Sequence, residues 1–166
     1  RLGYALASPA TDITLKDIAR LCDVFYIGGT KVGALFGEAV LATRPGLLKH
    51  FFPLIKQHGA LLAKGRLLGV QFDTLFTDNL YVEIASHAIP QAMTLKQAFV
   101  SKGYRLFIDS FTNQQFVVMP NEQIDRLMQY ASFELWGPRG ESETVVRFVT
   151  SWATTDEAID KLIEQL

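Results

Sequence analysis

One cysteine and three histidines among 166 residues remove whole classes of chemistry. Cys22 has no second cysteine to pair with, which fits a reducing compartment, and its place at the end of an apolar-periodic segment suggests buried filler. A structural zinc site needs clustered cysteine and histidine, so no metal site is expected. The glycine signatures GxGxxG, GxxxxGK[ST] and GxSxG are missing, leaving dinucleotide, phosphate-loop and hydrolase readings without support. Neither sign of charge dominates: 16 basic against 17 acidic residues give a net charge of −1. No global field recruits nucleic acid or an anionic membrane, and no basic stripe carries the interleaved aromatics of a single-strand binder. No apolar run approaches the ~20 residues of a membrane span, and the N-terminus lacks a signal-peptide layout. The expected setting is soluble and cytoplasmic. The chain opens at Arg1 without a methionine, as a processed chain or a piece of a longer one does.

What is present is a folded body, 49% hydrophobic, large enough for one good core or one and a half. The chain is organised around Asp23 to Arg44, DVFYIGGTKVGALFGEAVLATR. The apolar run Val24 to Ile27 meets Gly28, Gly29 and Thr30, then Lys31, Val32 and Gly33, then a second apolar run stopped by Pro45-Gly46. This reads as a buried strand, a tight glycine turn bearing one lysine, and another strand. Flanking glycines permit positive φ and close approach of a bulky ligand, and apolar surroundings disfavour an ammonium. A Schiff-base lysine needs that environment. A solvated lysine in a hairpin turn gives the same pattern, and the pattern alone does not separate the two.

Around this stretch the spacing predicts alternating elements. Arg1 to Ala10 reads as a short mixed stretch ending in the turn signal Ser8-Pro9. Thr14 and Asp17 form a capping box for a helix carrying Leu15, Ile18 and Leu21 to about Cys22. A helix from Leu47 to about Ala63 with a kink at Pro53 is followed by a second built on Leu67, Leu68, Phe72, Leu75 and Phe76, broken at Asp78-Asn79. Beyond lies a long helix, Leu80 to Ser101, bent at Pro90, leading through Lys102-Gly103 into strand-like material. The run Phe116 to Met119 ends at Pro120, and Asn121 caps a helix with Ile124, Leu127 and Met128. Phe133 to Trp136 and Thr144 to Trp152 read as strands, the second alternating Val145, Arg147, Val149 against Val146, Phe148, Thr150. A last helix is capped by Thr154 with Glu157. Domain one is expected to end near Asp78, and the remainder to form a small α+β unit.

The run IGGTKVGALFGEAVL, preceded by LKDIARLCDVFY and opened by Arg1-Leu2-Gly3, resembles the region around the cofactor lysine of the threonine aldolases and their β-eliminating lyase relatives. Thr112-Asn113-Gln114 before Phe116-Val117-Val118, and Val146-Arg147-Phe148-Val149-Thr150 before the last helix, match in the same order. The resemblance implies an α/β chain: the C-terminal part of a pyridoxal-phosphate-transferase-like large domain (residues 1–78) followed by a small α+β C-terminal domain (79–166). It implies pyridoxal 5'-phosphate as cofactor, an amino-acid substrate, and assembly as a homodimer or homotetramer. Lys31 matches the cofactor lysine, with Thr30 in place of the serine often found before it. Arg1 matches the arginine closing the family's Asp-Gly-Ala-Arg motif, and Arg147 a second arginine; both bind the substrate carboxylate, which suits the two-pronged guanidinium. Lys56 and Lys64 fall where the family has basic residues after the cofactor lysine, one of them reaching the phosphate, from the same or a neighbouring subunit. The expected reaction is retro-aldol cleavage of a β-hydroxy amino acid to glycine and an aldehyde. The alternatives are β-elimination on the same cofactor, or a non-catalytic fragment. The fragment reading follows because the family's ring-nitrogen aspartate, glycine-rich phosphate stretch and ring-stacking histidine lie upstream of the position matched by Arg1.

Overall fold

The glycine turn folds as a connection between antiparallel strands, and most of the first half of the chain is packed to support it. In the computed structural model, which describes residues 1–166, β1 (Val24–Gly28) pairs with β2 (Glu38–Ala42), Val24 opposite Ala42 and Gly28 opposite Glu38. Between them Thr30–Val32 form a single 3-10 turn, followed by Gly33 and Gly37 with φ of 98° and 97°. The expected burial of β1 is not met: Ile27 is buried, but Val24 and Tyr26 are exposed. The ribbon has only two strands, so Phe25 and Ile27 reach a core and the other face has no layer over it within this chain.

Helices cover the packed face. The opening residues, read as a short mixed stretch, form α1 (Leu2–Ala7), with Gly3 and Tyr4 buried. The predicted capping box is present at the start of α2 (Leu15–Leu21): the Thr14 hydroxyl accepts from the Asp17 N–H, and the Asp17 carboxylate accepts from the Thr14 N–H at 2.9 Å. Cys22 is exposed rather than buried filler, because α2 lies at the periphery and buries no residue. The predicted 47–63 helix is shorter, α3 (Phe51–Gln57). Pro53 falls in its first turn, where a missing N–H costs nothing, so it causes no kink. Then α4 (Arg66–Phe76) ends as predicted, at the left-handed pair Asp78 and Asn79.

The long helix is two, α5 (Leu80–Ser86) and α6 (Ala88–Ser101), divided at His87, with Pro90 in the first turn of α6. One cluster of buried side chains, Tyr4, Ile27, Val32, Leu75, Tyr81, Ala85, Ala88 and Ile89, gathers the ribbon, α1, α4, α5 and the start of α6. A second gathers Leu95 and Phe99 of α6 with Val117, Met119, Ile124, Leu127, Val146 and Phe148. Helix α6 therefore joins the two cores. Each fully buried large apolar side chain contributes roughly 1.5–3 kcal/mol.

The second core lies under a four-stranded antiparallel sheet, β3 (Arg105–Ile108), β4 (Gln114–Pro120), β6 (Glu143–Val149) and β5 (Glu134–Leu135) in spatial order. The alternation read in β6 is real: Thr144, Val146 and Phe148 are buried, while Arg147 stands on the opposite face. Two predicted caps shift by one residue. Asn121 is the first residue of α7 (Asn121–Leu127), not its cap, and its amide donates to the carbonyls of Gly140 and Glu141. The cap of α8 (Asp156–Glu164) is Thr155, whose hydroxyl accepts from the Ala158 N–H, whereas Thr154 accepts from the Ser151 N–H at 2.8 Å.

Candidate active site

Lys31 sits on a turn held from three sides. Within the turn, the N–H groups of Val32 and Ala34 both donate to the Gly29 carbonyl, at 3.0 and 3.1 Å. From α1, the Tyr4 hydroxyl donates to the carbonyl of Lys31 itself; from α5, the Tyr81 hydroxyl donates to the Gly28 carbonyl at 3.0 Å. From α4, the Gln71 side chain accepts from the Leu35 N–H at 2.7 Å and donates to the Phe36 carbonyl. Burial pushes both the Tyr4 and Tyr81 phenols above the ordinary tyrosine value, so both remain neutral donors. The glycines are needed for contact as well as for φ: a Cβ on Gly29 would lie 2.7 Å from the Ala34 Cβ, and one on Gly37 would lie 2.1 Å from Leu68 Cδ2.

The Lys31 side chain is exposed at a cleft of about 310 Å³ where the two cores meet. Arg1, Tyr4, Thr30 and Lys31 line it from the first, and Asn113, Glu134, Val149, Thr150, Ser151 and Trp152 from the second. Three of the residues singled out in the sequence, Arg1, Thr30 and Lys31, are thus brought together. Arg147 stands behind the wall. Its guanidinium forms an ion pair with the cleft-lining Glu134, donates to Gln114 Oε1 at 3.1 Å and stacks 4.9 Å from the Trp136 ring centroid. Its Nε is buried without a partner, as is Oδ1 of Asn113.

Lys56 and Lys64 do not line this cleft. Lys56 lies along exposed α3, over the Phe52 ring. Lys64 lines a separate hollow of about 660 Å³ with Leu35, Phe36, Arg66, Leu67, Val70 and Gln71. The sequence reading missed Tyr4, Tyr81, Gln71, Glu134 and Trp136. Tyr4 and Gln71 lie on helices whose sequence marks no partner, and Glu134 meets Arg147 only through strand register.

No family model matches the chain. Its fold matches threonine aldolase from Leishmania major, with TM-score 0.94 and 42% identity, covering 99% of this chain and 48% of that one. Sphingomonas wittichii serine palmitoyltransferase matches over 86% of this chain and 38% of its own, with TM-score 0.60 and 14% identity, a likeness of fold alone. The architecture is therefore that of the pyridoxal-phosphate-dependent transferases, of which this chain covers a part. Within that class the chain is similar to the threonine aldolases. Low specificity L-threonine aldolase from Pseudomonas sp. (strain NCIMB 10558) is 29% identical over 143 residues, 84% of this chain and 40% of its own length. The chain thus spans less than half the length of the threonine aldolases it matches.

Proposed function

We propose that these residues serve a pyridoxal-phosphate-dependent lyase that cleaves β-hydroxy amino acids, in the manner of a threonine aldolase, to glycine and an aldehyde. The observation that carries the reading is the convergence at one cleft of Lys31, on its braced glycine turn, with Arg1 and Glu134, the ion-pair partner of Arg147 behind the wall. It is supported by the likeness to the Leishmania major threonine aldolase along almost the whole chain. The residues suit the cofactor on the side they supply. An exposed lysine amine projects from a turn tight enough for close approach, and the buried, partnerless Arg147 Nε and Asn113 Oδ1 leave hydrogen-bonding capacity beside the cleft.

In this reading Lys31 holds the cofactor through its ε-amine, and Thr30 flanks it. The cofactor, when bound, supplies an electron sink for the charge left on Cα. Arg1 and Arg147 bind the substrate carboxylate. Fixing the carboxylate at one end and the amine at the other restricts rotation of the substrate, which decides which Cα bond is presented for cleavage. The Cα–Cβ bond then breaks, the β-hydroxyl carbon becomes the aldehyde carbonyl as its proton leaves, and Cα takes up a proton to give glycine.

In this proposal one of Lys56 and Lys64 serves the cofactor phosphate, from the same or a neighbouring subunit. Leu35, Leu67 and Val70 around Lys64 are 85%, 53% and 56% exposed, an apolar surface suited to a second copy of the chain. A homodimer or homotetramer, a cytoplasmic setting, and a division into residues 1–78 and 79–166 belong to the same reading. No helix is long and apolar enough to cross a membrane.

The test is made on the full-length protein. Wild type incubated with pyridoxal phosphate should show a visible chromophore that borohydride reduces onto Lys31, and should release glycine from threonine. The Lys31→Ala variant should do neither. A borohydride-reducible chromophore surviving in Lys31→Ala would refute the cofactor assignment, and ammonia in place of glycine would transfer the protein to the β-eliminating lyases.

A further inference from the structure

Arg147 does not line the cleft; Glu134 does. The two residues are direct partners across β5 and β6, Glu134 opposite Arg147, so strand register holds the carboxylate against the guanidinium. The arginine is firmly seated. Its side chain is 13% exposed, Gln114 takes one terminal nitrogen at 3.1 Å, and the Trp136 ring supports it at 4.9 Å. Glu134 is held far less: its side chain is 64% exposed and belongs to a strand of two residues. The pair therefore joins a fixed cation to a replaceable anion. A resident and an arriving carboxylate offer the guanidinium the same kind of charge-assisted hydrogen bond, so exchange of one for the other is nearly balanced. The arriving carboxylate would meet the same donor, with the fork still aligned by Gln114 and Trp136.

We infer that Glu134 is a built-in competitor for Arg147: a carboxylate that occupies the guanidinium in the free protein and must be displaced by the carboxylate of an incoming amino acid. The inference rests on the reading of Arg147 as a carboxylate-binding residue. Glu134 acts through Arg147 and is a positioning residue, setting affinity rather than the chemical step. Its removal frees the guanidinium without altering the lysine turn, so binding tightens and turnover of bound substrate does not rise.

The experiment uses the full-length protein loaded with pyridoxal phosphate and titrates glycine by calorimetry, alongside KM and kcat for threonine. Glu134→Gln, which keeps shape and removes charge, should lower both the glycine Kd and the threonine KM by roughly fivefold, with kcat unchanged. Glu134→Asp, one methylene too short for the pairing, should tighten glycine binding to a similar extent although the charge remains near the cleft. Unchanged or weakened glycine binding in Glu134→Gln would overturn the inference, as would an Asp variant that behaves like wild type. Arg147→Gln separates the underlying reading: it should weaken glycine binding by roughly a hundredfold. If it does so while Glu134→Gln changes nothing, only the competitor role falls; if it leaves binding intact, the role of Arg147 falls and Glu134 with it.

Discussion

The Tyr4 hydroxyl donates to the backbone carbonyl of Lys31, from a helix that starts the chain to a turn 27 residues away. It bonds the backbone of the lysine residue and leaves the amine unengaged, so the turn is fixed while the reactive end stays available. Tyr4→Phe removes the donor at almost constant volume and should cost about 1 kcal/mol, read from urea unfolding at pH 7. A pH effect accompanies it. Burial raises the Tyr4 phenol above its ordinary value, so the folded state favours the neutral form. That stabilisation is whole below the unfolded value of about 10 and is lost as pH rises through the folded one. Tyr4→Phe should therefore lose less stability than wild type between pH 9 and pH 11, a range set about the ordinary tyrosine pKa.

Gly37 tests the support of the same turn from α4. Its φ of 97° is left-handed, and a Cβ there would lie 2.1 Å from Leu68 Cδ2. Gly37→Ala combines backbone strain with a steric conflict, and should destabilise the full-length protein by more than about 1 kcal/mol. Because the turn carries Lys31, the variant should also be reduced less completely by borohydride in the presence of pyridoxal phosphate.

These residues show what was legible in advance. The lysine turn could be read because glycine marks unusual backbone geometry locally, and the Thr14–Asp17 box because cap and partner lie three residues apart. The alternation of β6 was equally local. Helix α1 was missed because LGYALA has no capping side chain and its packing partners lie on α5 and the turn. The Thr154–Thr155 pair offers two caps, and the choice is made by the Ser151 turn, which takes Thr154. Glu134 was illegible for a stronger reason. A two-residue strand has no periodicity to read, and its pairing with Arg147 is set by tertiary register.

The capping box of α2 should report itself through acid sensitivity. Hydrogen bonds from the Thr14 side chain and backbone hold the Asp17 carboxyl below its ordinary value, with Arg20 adding a smaller effect. A depressed carboxyl stabilises the folded state above its unfolded pKa of about 4, and the contribution disappears as pH falls through the lower folded value. Thr14→Ala should lower the helix-associated stability at neutral pH and narrow the gap to wild type near pH 2. Equal losses at both pH values, measured by thermal melts, would show that ionised Asp17 contributes nothing to the cap.

Thr150 joins the wall of the cleft to the helix shared by the two cores. Its hydroxyl donates to the Ala88 carbonyl at 2.7 Å, at the start of α6, while its own carbonyl accepts from the buried Asn113 amide at 2.6 Å. The Ala88 contact sets the strand end bearing Val149 to Trp152 against the first core, and the Asn113 contact ties the same end to the start of β4. Thr150→Val keeps volume and β-branching but deletes the donor. The expected cost is about 1 kcal/mol in global stability. The more telling readout is hydrogen exchange: amides at the start of α6 and at the end of β6 should lose protection together, while those of α7 keep theirs. Loss confined to β6 would mean that the hydroxyl anchors only its own strand and that apolar packing alone holds α6 against it.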